Sequence, residues 1–264
     1  MIKRGGKMRR IFVVFLLICL CCFTGCSEKQ DCTVLKFKST NSSETISKLN
    51  GKQVSITGYI STLSPLSGEF AYLMNMSYQS CPFCVPGTST INNTLAIYAG
   101  ANDKIEFTDQ PVTVVGTLET GEFVDEFGYE YGIRLNNVIV SKADVDKLSK
   151  AVKQYNLLAE NGVIGQIYNS IMSADETVFY NYYKLEKPQP VTMELIDTTK
   201  STLEGYNKEG EYNQLVDTMS NLIELCNRVN KDIEVEDYSK FNTYQKELQN
   251  VYYTFSRWVE EGEL

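Results

Sequence analysis

The sequence predicts an α+β chain, a five-stranded β-barrel followed by an all-α helical bundle, and three observations predict it. Apolar residues recur with a period of two from about residue 54 to residue 141, and with steps of three and four from residue 148 onward. Two of the β segments carry a glycine at the same place in a shared pattern, as small barrels require where a strand bends. The chain is 264 residues long, 43% hydrophobic and 22% charged, which suffices for a sizeable core.

The first 25 residues stand apart from that fold. Residues 1–10 carry five cations and no anion, and residues 11–23 form an unbroken apolar run. A basic segment, a short apolar segment and small residues before a cleavage point make an export signal, and the run is too short to cross a bilayer, which takes about 20 residues. Thr24-Gly25-Cys26 resembles the lipobox of bacterial lipoproteins, with Phe23 where leucine is usual. The resemblance implies cleavage before Cys26 and acylation of its thiol, with palmitate or a similar chain. The protein is then held on the extracytoplasmic face of the cell membrane through an acyl anchor in the lipid bilayer. Residues 26–43 are mostly polar and read as a tether.

The β domain is expected over residues 44–141. A short amphipathic segment, residues 44–49, ends at Asn50-Gly51, where glycine suits a helix C-cap. Strands are expected over residues 54–60, 70–76, 94–98, 112–119 and 132–141. The stretch Val54-Ser-Ile-Thr-Gly58-Tyr-Ile60 matches Val112-Thr-Val-Val-Gly116-Thr-Leu118. Five short strands with a glycine bend in the first and fourth resemble the OB-fold. The segment 49–60 is similar to the opening of exported bacterial OB domains of the anticodon-binding type. That resemblance implies a closed Greek-key barrel with a ligand face bordered by the loop between its last two strands.

Residues 142–264 are expected to form the bundle. The apolar stripes are Leu148, Val152, Tyr155 and Leu158; Ile164, Ile167, Ile171, Ala174, Val178 and Tyr182; Leu195, Thr199, Leu203 and Tyr206; Leu215, Met219, Leu222, Cys226 and Val229; and Tyr244, Leu248, Val251, Phe255 and Trp258. One stripe per helix gives four or five helices joined by short loops.

Composition excludes several functions. With no histidine, Ser-His-Asp and Cys-His catalysis, His-ligated zinc and an imidazole proton shuttle are all ruled out. Residues 27–141 carry 7 cations and 12 anions, and residues 142–264 carry 13 and 21. An OB domain that binds nucleic acid needs basic residues to displace counterions, so no nucleic-acid partner is expected.

Three features could carry chemistry. Cys81-Pro-Phe-Cys84 has dithiol spacing, but Pro86 and Gly87 follow at once, so a loop is expected rather than the helix N-terminus that activates a redox pair. In an oxidising compartment the pair reads as a structural disulfide, with metal binding and redox activity as alternatives. Met74 and Met76 precede it and could complete a soft-metal site for copper with Cys81 and Cys84; equally, they could fill core gaps. Glu122, Phe123, Asp125, Glu126 and Tyr129 alternate acids with aromatics and form the expected ligand rim, or else a solvated hairpin that packs on its own strands. Eleven of the 17 tyrosines lie in the helical half, Tyr180, Tyr182 and Tyr183 together and Tyr252 beside Tyr253, suited either to a binding surface or to core packing. Cys226 lies on an apolar stripe and is expected to be buried and inert.

The sequence points to no catalytic residue and implies no cofactor. It is read as a non-enzymatic, membrane-anchored lipoprotein that binds an envelope protein or a small ligand. The alternative is thiol-redox or copper handling through Cys81 and Cys84.

Overall fold

The change of period near residue 141 is a change of architecture. The computed structural model describes residues 32–37, 43–77, 93–183 and 189–264, and within these Val34–Leu264 forms one compact unit. Cys26, the residue expected to be acylated, and the pair Cys81 and Cys84 lie outside the described residues.

The N-terminal half contains β1 (Thr33–Leu35), α1 (Ser43–Leu49), β2 (Gln53–Ile60), β3 (Phe70–Met74), β4 (Thr94–Ala99), β5 (Val112–Val124) and β6 (Glu130–Lys142). Alternation shows directly in β5, where Val112, Val114 and Leu118 are buried and Thr113, Val115 and Thr117 half-buried. In β3 every residue is buried, so both of its faces are covered. Ile56, Leu73, Leu95, Ile97, Leu118 and Leu135 form the centre of the core on one side of the sheet. Gly51 follows α1 with φ +76, the left-handed conformation expected of a glycine just past a helix end.

The expectation of a closed five-stranded OB-type barrel is not met. The strands make a six-stranded mixed sheet in the order β1-β2-β3-β4-β6-β5, with an additional pairing of β2 to β5. β4 and β6 run parallel, and the other ladders with assigned registers are antiparallel. The physical reason lies in β2, which divides its length unequally between β5 and β3. Gln53–Gly58 pairs with β5, whereas only Tyr59 and Ile60 pair with β3. The junction of β2 with β3 is therefore a narrow seam rather than an unbroken ladder.

The two patterned glycines mark the irregularities. A Cβ on Gly58, where β2 changes partner, would come within 2.6 Å of Leu73 Cγ and 2.8 Å of the Met74 carbonyl oxygen. Gly116 sits where the β5–β6 register shifts, with Val138 as close as 2.8 Å to its missing Cβ. The same bend residues that suggested a barrel thus permit close backbone approach in a sheet.

After a 3₁₀ turn (Val145–Lys147) come α2 (Lys150–Glu160), α3 (Val163–Tyr183), α4 (Met193–Tyr206), α5 (Asn213–Glu234) and α6 (Phe241–Glu261). Ser149 caps α2, its hydroxyl accepting from the Val152 N–H at 3.1 Å. α3 packs against α2, α4 and α6, and α5 packs against α4 and α6. The stripes on α5 and α6 are buried throughout, from Leu215 to Val229 and from Tyr244 to Trp258. On α4 Thr199 and Leu203 of the expected stripe are buried, but the stripe begins at buried Ile196 rather than at Leu195, which is exposed. Among the described residues no helix is long and apolar enough to cross a membrane.

Two segments join sheet and helices. Met76, just past β3, sits in the helical core, and Leu264 packs on the sheet core while its N–H donates to the Asn75 carbonyl at 3.0 Å. Asn156 of α2 donates to the Tyr59 hydroxyl at 2.6 Å and accepts from the Ser77 hydroxyl at 3.0 Å. The Tyr155 hydroxyl donates to the Ser77 carbonyl at 3.2 Å. Leu35 and Phe37, inside the stretch read as tether, are buried in the sheet core.

Candidate binding face at the long hairpin

β5 and β6 extend beyond the rest of the sheet as a hairpin whose ladder runs out to Val124 and Glu130. Its tip is a tight turn closed by Asp125. The Gly128 N–H donates to the Asp125 carbonyl at 3.0 Å, and Gly128 has φ +81, a conformation that glycine adopts without strain. The Asp125 carboxylate accepts from the backbone N–H groups of Phe127 at 2.9 Å and Tyr129 at 3.0 Å, as a short acid at the head of a turn does. Its other oxygen accepts the Tyr72 hydroxyl of β3 at 2.5 Å. One side chain thus forms the turn and ties it back to the sheet.

Tyr72 belongs to a second aromatic layer. Phe70 and Tyr72 point away from the core side chains Ala71 and Leu73, because successive side chains of a strand face opposite ways. Phe70 stacks on Tyr98 of β4 at 5.2 Å between ring centroids and meets Phe127 of the tip at 6.2 Å. Tyr72 meets Tyr129 edge-on at 6.4 Å. Phe123 and Tyr131 are cross-strand partners with rings 6.0 Å apart, and the hydroxyls of Tyr98 and Tyr131 share a short hydrogen bond. Phe70, Tyr72, Ala96 and Tyr131 make up the buried part of this layer.

A cation closes its edge. The Arg134 guanidinium lies 4.1 Å from the Phe123 ring centroid and 5.1 Å from that of Tyr98. It donates twice to the Glu119 carboxylate, at 2.9 and 3.1 Å, across the β5–β6 ladder. The hydrogen bonds from Arg134 hold the Glu119 carboxyl below the usual carboxylate range. Burial, reinforced by the Asp125 carboxylate, pushes the Tyr72 phenol well above its ordinary value; burial and Tyr98 do the same for Tyr131. These two phenols stay neutral near neutral pH.

The expected rim residues therefore divide. Phe123, Asp125 and Tyr129 are engaged with the sheet, while Glu122 on β5 and Glu126 in the turn are exposed, as is Phe127, at 54%. What remains at the tip is an acidic and aromatic edge on a fixed frame. Tyr72, Tyr98 and Arg134 are not among the residues that the sequence singles out, and Tyr131 enters there only as the end of the acidic and aromatic stretch. The available signal was the aromatic alternation of Phe70 with Tyr72, and Tyr98, on the second face of strands whose first face is aliphatic.

Met74 and Met76 are both buried and line one small groove together with Tyr59, and Met76 also fills space in the helical core. Among the described residues no group of three or more acidic, histidine or cysteine side chains is placed to hold a metal ion. Cys226 is buried, and burial pushes its thiol up to about 12, which leaves it protonated and unreactive at neutral pH. Tyr155, Tyr212 and Tyr244 pack in the helical core, whereas Tyr168, Tyr180, Tyr183, Tyr252 and Tyr253 are exposed.

No protein-family model and no curated protein matches the chain. Among solved structures, the crystal structure of a DUF3299 family protein from Pseudomonas aeruginosa PAO1 is similar over 37% of this chain and 66% of its own length, at 22% identity and a TM-score of 0.27. A likeness of that extent carries neither a fold nor a function to this chain.

Proposed function

We propose that the protein is a lipid-anchored, extracytoplasmic binding module that meets an envelope partner with the tip of its long hairpin. The observation that carries this reading is the exposed edge of Glu122, Glu126, Phe127 and Tyr129 on a turn held by Asp125. Recognition surfaces favour aromatic side chains that are already fixed, because little conformational freedom is lost on binding. The export signal ending at Cys26 supports the compartment and the anchor.

The test has two parts. Cys26→Ser should release the protein from the membrane fraction; retention of a normally processed variant there overturns the anchor. A photo-crosslinker in place of Phe127 should give a discrete adduct in intact cells, and the double change Glu122→Lys with Glu126→Lys should abolish it. A crosslinker in place of the exposed Ser201 on α4 is the control, and equal labelling from both positions overturns the tip as the binding edge.

A further inference from the structure

A second aromatic site lies in the helical half, and nothing in the proposed hairpin function uses it. α3 and α6 leave a groove of about 300 Å³ between them. Tyr168, Met172 and Asp175 follow one another at steps of four and three along α3 and so share a face. Tyr252 and Tyr253 of α6 form the opposite wall, above buried Ile171 and Leu248.

Asp175 is the unusual member. It is half-buried in a groove whose other lining residues are apolar or aromatic except for Gln249 of α6 and, among the described residues, it makes no hydrogen bond and no ion pair. α3 contains no lysine or arginine from Val163 to Tyr183. Burial alone pushes its carboxyl above the usual range, with no neighbouring charge acting on it. A carboxylate withdrawn from water without a partner costs stability, and no hydrogen bond or ion pair among the described residues offsets that cost. The groove supplies what a cation lacks in water: a negative counter-charge and electron-rich ring faces, the combination that holds quaternary ammonium groups. Its volume is at the lower end of the range for small-molecule sites, about 300–1,000 Å³, which suits a compact ion rather than a chain.

We propose that the groove between α3 and α6 binds an alkylammonium ion, with Asp175 opposing its charge and Tyr168, Tyr252 and Tyr253 enclosing its alkyl groups. The ion is either free or the head group of a lipid, and the chemistry of recognition is the same.

Calorimetric titration of the full chain with choline, and with its neutral carbon analogue 3,3-dimethylbutan-1-ol, tests this. Choline should bind saturably and at least about tenfold more tightly than the neutral analogue, a difference of about 1.4 kcal/mol. Asp175→Asn should remove that preference while keeping the wild-type circular dichroism spectrum. Tyr253→Leu, a change at an exposed position, should weaken choline binding several-fold, and it decides the matter if Asp175→Asn fails to fold. Flotation of the chain carrying Cys26→Ser with phosphatidylcholine vesicles, but not with phosphatidylglycerol vesicles, identifies a lipid head group as the source. Choline binding without flotation identifies the free ion. Absence of saturable binding, equal binding of the neutral analogue, or an unchanged affinity in a folded Asp175→Asn variant overturns the proposal.

Discussion

Asp125 and Asp175 are both half-buried carboxylates surrounded by aromatic rings, one on the hairpin and one between helices, and their surroundings treat them in opposite ways. Asp125 accepts three hydrogen bonds, two from its own turn and one from Tyr72 on a distant strand. Asp175 accepts none among the described residues, and burial raises its carboxyl. The same residue types thus make a fastener in one place and an open receptor in the other. The difference lies in the donors: a turn presents free N–H groups to a nearby acid, whereas the middle of a helix has already used its own.

The comparison can be broken most decisively at Asp125. Asp125→Ala removes the acceptor for two backbone N–H groups and one buried phenol, and should cost about 2–3 kcal/mol in urea unfolding. A loss under about 0.5 kcal/mol would mean that the tip is not fastened by this residue.

Arg134→Ala should cost about 1 kcal/mol. The ion pair with Glu119 is partly exposed, with 28% and 39% of the two side chains accessible, so it contributes little; the packing over Phe123 and Tyr98 supplies the rest. The penalty should therefore persist in 1 M salt. If it disappears there, the pair rather than the packing accounts for it.

Asp175→Asn should raise stability slightly at neutral pH, the reverse of Asp125→Ala. The direction follows from linkage. The folded carboxyl titrates above the unfolded one, so its favourable contribution is complete below the unfolded pKa and is lost as pH rises through the folded value. The gap between variant and wild type should narrow as pH falls from 7 toward 4. A gap that widens on acidification would show that Asp175 has a partner in solution.

The smallest effect is expected at Tyr253, which is 61% exposed. Tyr253→Ser should stay within about 0.5 kcal/mol of wild type, as befits a wall that contacts solvent. A larger loss in thermal melting would place that ring in the core and close the groove.

How much of this could be read from residues alone depended on the range of the interaction. The α5 stripe from Leu215 to Val229 was legible because helix burial repeats every three or four residues and each repeat reports independently. The strands were legible by period, but their order was not. Alternation tells which way a side chain points and nothing about which strand lies beside it, so a pattern suited to a barrel became a mixed sheet once β2 divided its length between β5 and β3. β1, three residues long, lies below the length at which a period can register. At the hairpin, the alternation from Glu122 to Tyr129 was visible, but the bond from Asp125 to Tyr72 spans 53 residues and leaves no local mark. Asp175 did leave one: an acid bracketed by Ile171, Met172, Val178 and Phe179 on its helix.

The seam between β2 and β3, only two residue pairs wide, has a brace across it. Asn156 of α2 grips Tyr59 on one side and Ser77 on the other, and Leu264 reaches Asn75 just past β3. The helices therefore do for the sheet what a mending plate does for a cracked board. A chain nicked by a protease in the connection around residues 143–149 has two covalently separate pieces that remain pinned by these contacts. They should elute together and keep one cooperative melt, and separate only once denaturant loosens the joint. Shape in this molecule is secured at the crack rather than along the peptide that links its halves.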